Sequence, residues 1–347
     1  MNKEKINSII ESVGVPRLII FGFAIVLCIA AGVLGLDLKE MLTNILNRVG
    51  MNGILVLAMV PAIHCGIGLN FGVSLGIIGG ILGGLIAMEL NLTGFAAYFL
   101  ACFIGIILSI GAGALYGLLL NKVKGSEMTV STYVGFSIIS LMNIGWLLLP
   151  FKNGAIRWPI GTGLRNTIGL EDSFALVLND FLAFTVMGIK VPTGSLLFFA
   201  IFCVIVWLFL NSKVGIAMSA VGNNPKFAAA TGISQDKMRI LGTVISTALA
   251  AVGILSYSQS YGFIQLYNAP LMMSFAAVAA ILIGGASIKR ASISNVIVGV
   301  VLFQTIISMG LPVANQILPE GNLSEILRLI ISNGIILYAL TKAKGGR

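Results

Sequence analysis

Few side chains in the long apolar stretches of this 347-residue sequence could carry charge or chemistry. The ionisable groups there are His64, Glu89 at the end of one stretch and Arg328 near the start of the last. A carrier driven by protons or sodium ions needs ionisable groups near the membrane midplane, where the coupling ion binds. These stretches contain no carboxylate pair and no Cys/His or metal-ligand cluster. The sequence is therefore not typical of an intramembrane enzyme or metal site. If the protein transports a solute, we expect the driving force to come from a source other than a proton or sodium ion bound within these stretches.

Uncharged polar side chains are more frequent in the same stretches and could line a path for a solute. An amide or hydroxyl that faced lipid would leave its hydrogen-bonding groups unsatisfied, so each must face another helix or a wet cavity. Both alternatives are open. The densest group is the run 256–261, where hydroxyls and amides lie beside aromatic rings, as suits an uncharged, hydroxylated ligand. The candidate pathway residues are His64, Asn70, Asn143, Ser256, Ser258, Gln259 and Gln304.

The polar segment 211–239 predicts a short isolated helix. Asn224 is a good N-cap, Pro225 suits the first helical position, and Gly232 can end the helix in a left-handed conformation. A helix of about two turns is not stable alone in water. We expect it to dock on a partner, and packing on the ends of its own neighbouring helices is the alternative.

The elements that position these residues follow from the composition, which is 58% hydrophobic and 10% charged. Soluble domains have about 45–50% apolar and about 25% charged residues. An ordinary soluble protein, a disordered chain and a nucleic-acid binder are thereby excluded. A bilayer core needs roughly 20 apolar residues per helix. We predict an all-α polytopic membrane protein in contact with lipid, with ten transmembrane helices at 18–36, 51–69, 71–88, 94–120, 128–150, 193–210, 240–266, 269–288, 291–318 and 326–340.

The basic residues predict the orientation of these spans, because Lys and Arg are enriched in cytoplasmic loops. With both termini in the cytoplasm, fourteen of the 21 Lys and Arg residues lie inside and seven outside, and the opposite orientation reverses the ratio. A further apolar segment, 173–189, has Asp180 at its middle, and a crossing there would also reverse the ratio. We therefore predict that 151–192 is an external loop, that 173–189 is amphipathic or re-entrant, and that 211–239 is cytoplasmic.

Glycines recur every four residues from Gly68 to Gly84, with Gly79 and Gly83 beside them. In a helix this spacing makes a smooth face on which another backbone can lie closely. The glycines do not match a nucleotide-binding loop. We predict that they serve helix packing.

Three segments together resemble one protein family. Segment 220–233 (AVGNNPKFAAATGI) resembles the cytoplasmic coupling motif of permease subunits of ATP-binding-cassette (ABC) importers for ribose, other monosaccharides, nucleosides and branched-chain amino acids. Segments 276–287 (AAVAAILIGGAS) and 66–72 (GIGLNFG) are similar to two other elements of that family, although Gly68 stands where an acidic residue is usual. The resemblance extends from Met51 to the C-terminus.

The resemblance implies one transmembrane permease domain, residues 1–347, in the bacterial cytoplasmic membrane. It would pair with a second permease copy or paralogue, contact cytoplasmic ATP-binding subunits and receive a sugar or nucleoside from an extracellular or periplasmic binding protein. The chain has no GxxxxGK[ST] motif, so the partner would hydrolyse ATP and this chain would bind no cofactor. A stand-alone secondary carrier is the alternative. The implied coupling residues are Asn223, Asn224, Pro225, Lys226, Phe227, Ala228 and Gly232.

Overall fold

Helices form most of the computed structural model, which describes residues 15–267, 269–317 and 334. A 3₁₀ turn, Phe71–Val73, leads into the fourth helix, and four short strands form two antiparallel pairs. In chain order the elements are α1 (Val15–Val33), α2 (Leu38–Leu57), α3 (Met59–His64), α4 (Ser74–Glu89), α5 (Gly94–Lys122), α6 (Glu127–Leu148), β1 (Thr167–Gly169), α7 (Val177–Asp180), β2 (Phe184–Val186), β3 (Ile189–Val191), α8 (Thr193–Asn211), α9 (Lys213–Asn223), α10 (Pro225–Ala230), α11 (Gln235–Tyr261), β4 (Phe263–Gln265), α12 (Ala269–Ile283) and α13 (Ile293–Ile317).

Seven helical segments in the described part of the chain are long and apolar enough to cross a membrane. They are α2 with α3, the 3₁₀ turn with α4, and α5, α6, α8, α11 and α13. Two shorter apolar helices lie within α1 and α12. These nine follow the order of the first nine predicted spans, and the tenth, 326–340, lies outside the described residues except for residue 334. The prediction of an all-α polytopic membrane fold is thus confirmed at the level of these seven segments.

The predicted second span, 51–69, is wrong at both ends. The helical segment begins at Leu38, where the Asp37 side chain caps it by accepting from the next backbone N–H groups, and it ends at His64. The predicted start lies too far along the chain because charged residues in the first turns of α2 interrupt the apolar run. The predicted end also lies too far along because the chain leaves the helix through Gly66 and Gly68, whose φ angles are +81° and +86° and favour glycine.

The predicted glycine packing is confirmed for the glycines within α4, which lies between α5 and α11, whereas Gly68 and Gly72 precede this helix. A Cβ atom at Gly76 or Gly80 would collide with backbone atoms of α11, and one at Gly79 or Gly83 would collide with α5. Two separate faces of α4 therefore approach neighbouring backbones closely. In a membrane such contact stabilises helix association through van der Waals packing.

The segment between α6 and α8 is irregular. Strand β1 pairs with β4, and β2 pairs with β3 in a hairpin. Within 173–189 the only described helix is α7, of four residues. The described part of this segment therefore contains no helix long enough to span a membrane, and its amphipathic or re-entrant position on the outer face stays a prediction.

The connections between helices gather at two ends of the bundle, which we call the loop end and the motif end. The loop end contains residues 34–37, 89–93, 151–192 and 262–267, joined by contacts such as the β1–β4 pair. The motif end contains residues 65–70, 121–127, 211–239 and 284–292. Its parts are joined by His64, whose ring nitrogens each lie 2.8 Å from a partner, Ser219 Oγ and the Ala291 carbonyl oxygen.

Candidate functional site

The short helix predicted in segment 211–239 is α10, and its ends are formed by the expected residues. Asn224 Oδ1 accepts a hydrogen bond from Phe227 N at 3.1 Å, and Pro225 occupies the first turn. At the other end Gly232 has a φ of +80°. The Ile233 and Gly232 N–H groups donate to the Ala228 and Ala229 carbonyls, which is the Schellman arrangement. The local prediction is confirmed.

Helix α10 presents nearly all of its surface outward. Only Ala228 is buried, where the helix rests on the bundle, and Phe227 is 60% exposed. Six residues are too few for a helix to be stable alone, so contacts at the motif end must hold it in place. An exposed aromatic side chain on a fixed helix is well suited to enter a groove on another protein.

Helix α9 holds α10 against the rest of the bundle. Gly222, near the end of α9, lies so close to Gly66 that a Cβ atom on Gly66 would be 3.0 Å from the Gly222 Cα. Ser219 on α9 contacts His64 at the end of α3. The structure thus brings two of the three segments that carry the family resemblance, 66–72 and 220–233, into direct contact.

An ion pair that is largely shielded from solvent fixes the start of α11, shortly after the motif segment 220–233. Arg239 Nη2 donates to Glu127 Oε1 at 2.7 Å, and Arg239 Nε donates to Asn121 Oδ1 at 2.9 Å. The Arg239 side chain is 4% exposed and that of Glu127 13%. From the sequence, Arg239 was predicted only to be a cytoplasmic charge. The available signal was its place near the start of a helix, at the same end of the bundle as Glu127.

A polar cavity lies at the loop end. Its volume is about 320 Å³, within the roughly 300–1,000 Å³ of small-molecule sites. Amide, hydroxyl and charged groups dominate its wall, beside two apolar side chains. The lining residues are Asn44, Asn47, Arg48, Met51, Leu176, Asn179, Asp180, Lys190, Ser260 and Tyr261.

The end of α11 supplies one wall of this cavity, which we call the loop-end cavity. Ser260 Oγ and Gln259 Nε2 both donate to Asn179 Oδ1, at 2.7 Å and 3.0 Å. Gln259 Oε1 also accepts from Leu178 N at 3.1 Å. Tyr261 stacks on Tyr257 with ring centroids 5.1 Å apart. The polar run 256–261 therefore contributes to a cavity wall, with Gln259 behind the wall as a positioning residue.

The sequence pattern of the family described as "Branched-chain amino acid transport system / permease component" matches residues 41–340. The chain belongs to this permease family. It is a multi-pass membrane protein and the permease component of an ABC transporter. The family implies partnership with an ATP-binding subunit and usually with a substrate-binding protein. Searches of curated proteins and of solved structures found no match.

The other predicted pathway residues of the permease lie apart from the loop-end cavity. Asn70 is buried in the core, where it accepts from Tyr116 Oη and Gly72 N and donates to Ser246 Oγ. Its hydrogen-bonding groups are engaged between helices. Ser256 contacts Tyr98 Oη at 2.9 Å in the core, and Ser258 is buried.

Two amides lie elsewhere in the permease. Gln304 lines a cavity of about 10 Å³ between α2, α12 and α13. Asn143 lies on α6, where its Oδ1 is buried with no hydrogen-bond partner among the described residues. The seven predicted pathway residues are therefore dispersed over several parts of the molecule.

His64 lies at the motif end, in the wall of a cavity of about 630 Å³. Asn223, predicted as a coupling residue, lines the same cavity. The structure thus brings together one predicted pathway residue and one predicted coupling residue, and it separates both from the loop-end cavity.

Proposed function

We propose that this permease is the transmembrane subunit of an ABC importer that moves a sugar or nucleoside across the bacterial cytoplasmic membrane, using ATP hydrolysed by a separate subunit. Family membership supports the importer class. The observation that carries the proposal is α10, a capped helix at the motif end with Phe227 exposed. Phe227, Lys226 and their neighbours from Asn223 to Gly232 contact the ATP-binding subunit.

Energy passes from the ATP-binding subunit through α10 into the bundle. When that subunit closes on ATP, α10 moves and carries α9 and the start of α11 with it. The close approach of Gly222 to Gly66 connects α9 to the end of α3, and the Arg239–Glu127 pair connects α11 to α6. Rigid-body motion of packed helices then opens the solute path alternately to each side.

The solute enters at the loop end, which faces the binding protein outside the cell. The amides of Asn44 and Asn47 offer hydrogen bonds to sugar hydroxyls, and the Tyr261 ring offers an apolar face. A volume of about 320 Å³ suits a ligand of this size. Both termini and the motif end face the cytoplasm. Each chain forms one transmembrane domain, and a second permease copy or paralogue completes the solute path.

The importer proposal is tested by removing the Phe227 ring. The variant Phe227→Ala should weaken association with the ATP-binding subunit by about 2 kcal/mol or more, as for an anchor in a desolvated pocket. Ile216→Ala is the matched control, because Ile216 is also 60% exposed at the motif end but lies on α9. The measurements are pull-down of the ATPase and solute-stimulated ATP hydrolysis in reconstituted membranes.

Transport and ATPase retention at wild-type level in Phe227→Ala would contradict the coupling role of α10. Gly232→Val gives a second test, because a β-branched residue is strained at a φ of +80° and should distort the exit from α10. Capture of solute by the separate binding protein should be unchanged in both variants.

The solute class needs its own experiment. A thermal-shift screen of the cognate binding protein against sugars, nucleosides and branched-chain amino acids should show stabilisation by a sugar or a nucleoside, because ligand binding to the native state raises its stability. Stabilisation by branched-chain amino acids alone would contradict the proposed solute and leave the importer class unaffected.

A further inference from the structure

The cavity at the motif end, which we call the motif-end cavity, is lined by charged groups that have no role in the proposed solute path. Its volume of about 630 Å³ is that of a small-molecule site. It lies between the start of α1, the end of α9 and the turn between α12 and α13. Arg17, Lys289 and Arg290 line it, so three cationic side chains from opposite ends of the sequence converge on one space.

These cations have no acidic counterpart in the described part of the chain. No carboxylate is among the lining residues. The two described carboxylates at the motif end, Glu127 and Asp236, are engaged elsewhere, in ion pairs with Arg239 and Lys124. Like charges gathered around one cavity repel one another, and an anion placed between them removes that repulsion.

The wall that carries the charges is fixed by hydrogen bonds. Ser287 Oγ accepts from Arg290 N at 3.1 Å, and Ser287 N donates to the Arg290 carbonyl at 2.8 Å, which closes a tight turn. Asn295 Nδ2 donates to the Gly284 carbonyl at 2.9 Å. Arg17 Nη2 donates to the Gly285 carbonyl, which orients the guanidinium group at the cavity wall.

We propose that the motif-end cavity binds a phosphate group, presented either by an anionic lipid headgroup or as free phosphate. The Arg17 guanidinium has further N–H donors in a planar fork that suits phosphate oxygens, and Lys289 and Arg290 neutralise its charge. Asn223 lines the cavity directly before Asn224, the N-cap of α10. A bound phosphate therefore links α1 and the 284–292 turn to Asn223, the residue beside the N-cap of α10.

The experiment measures binding to the purified full-length permease in nanodiscs. In one arm the discs contain phosphatidylcholine with phosphatidylglycerol, and native mass spectrometry reports which lipid the protein retains. In the other arm they contain phosphatidylcholine alone, and calorimetry reports binding of inorganic phosphate. The variant is Lys289→Gln/Arg290→Gln, since both side chains are exposed and their loss does not threaten folding. The control is Lys122→Gln/Lys213→Gln, which removes two charges at the same end outside the cavity.

We expect the wild type to retain phosphatidylglycerol selectively or to bind inorganic phosphate. The cavity variant should lose at least about tenfold in affinity, as charge-assisted hydrogen bonds are removed, and the control should match the wild type. Selective lipid retention that millimolar phosphate does not displace identifies a headgroup, and binding in phosphatidylcholine discs identifies free phosphate. Equal losses in variant and control, or no selective retention and no phosphate binding in the wild type, would overturn the proposal.

Discussion

The loop end and the motif end of the permease differ in how their polar groups are satisfied. At the loop end, the irregular segment 151–192 is tied to the bundle: the Glu89 carboxylate accepts from the backbone N–H groups of Lys152 and Asn153, and β1 pairs with β4. At the motif end, α10 is held mainly through Ala228 and exposes Phe227, and three cations line an open cavity.

The difference shows which end of the permease satisfies its polar groups with its own residues. Connections longer than about 12–15 residues are uncommon unless they are functional or disordered, and the loop-end segment is ordered because helix ends supply its hydrogen-bond partners. The motif end has a rigid base, formed by the Arg239–Glu127 pair, and above it the exposed Phe227 ring and three cations that form no ion pair within the described chain. Such an arrangement is typical of a surface that binds other molecules.

The largest effect is expected from labelling, which tests whether the two ends lie on opposite sides of the membrane. Single cysteines at Lys152, Lys190 and Lys213, in a chain with its four native cysteines replaced, would be treated with an impermeant reagent on intact cells. Positions 152 and 190 should react and 213 should not, because the 19 residues of α8 span about 28 Å. Opposite results for 152 and 190 would contradict a common loop end.

Arg239→Ala should cause the largest loss of stability. It removes the ion-pair partner of the partly buried Glu127, which still accepts a hydrogen bond from Gly125 N, so we expect a cost of about 3 kcal/mol, the lower end of the range for a buried pair. Lys124→Ala is the control at the same end, since the Lys124–Asp236 pair is exposed and such pairs contribute about 0–1 kcal/mol. Thermal unfolding of the purified proteins in detergent measures both. Equal shifts in Tm would show that the base of the motif end is not rigid.

Gly222→Val should have an intermediate effect. The added side chain would collide with the His64 carbonyl and push α9 away from the 65–70 turn, which costs about 1–3 kcal/mol for overpacking. Because α9 precedes α10, ATP hydrolysis in the reconstituted complex should lose its response to solute. Gly111→Val in α5 is the control, since a Cβ atom there meets no atom within 4 Å. If ATP hydrolysis by Gly222→Val still responded normally to solute, the proposed role of α9 in coupling would be contradicted.

The smallest effect is expected from Glu89→Gln at the loop end. The amide keeps one oxygen acceptor for the 152–153 backbone, so stability should fall by about 1 kcal/mol or less and solute uptake should be nearly unchanged. Glu89→Ala removes both acceptors and should make segment 151–153 more sensitive to protease. Glu171→Ala, in the same segment, is the control for loss of an exposed carboxylate. Loss of uptake in Glu89→Gln would assign this carboxylate a role in transport.

Features that depend on neighbouring residues could be predicted from the sequence. The caps of α10 lie within eight residues of one another, so Asn224, Pro225 and Gly232 identify both ends of that helix. The α4 glycines also form a local pattern. The start of α2 was missed because apolar windows exclude helical turns that contain charged residues, whereas the Asp37 cap begins the helix regardless of them.

The composition of the loop-end cavity could not be predicted in the same way. Asn47, Asn179 and Ser260 are separated by more than 80 residues and meet only through the fold. The hydrogen-bond partners of Asn70 are likewise supplied by α5 and α11. Residue type indicates that a buried amide must find a partner, but the tertiary structure decides whether that partner is another helix or a solute.

Helix α11 is held at both of its ends, by Arg239 at the motif end and by Gln259 and β4 at the loop end. Its 27 residues extend over about 40 Å, and no proline interrupts them. A helix of this kind behaves mechanically as a rigid rod. A tilt of about 5° around its motif end would displace the other end by about 3.5 Å, more than the length of a hydrogen bond. Small rotations imposed at α10 would therefore be sufficient to separate Ser260 from Asn179 at the loop end.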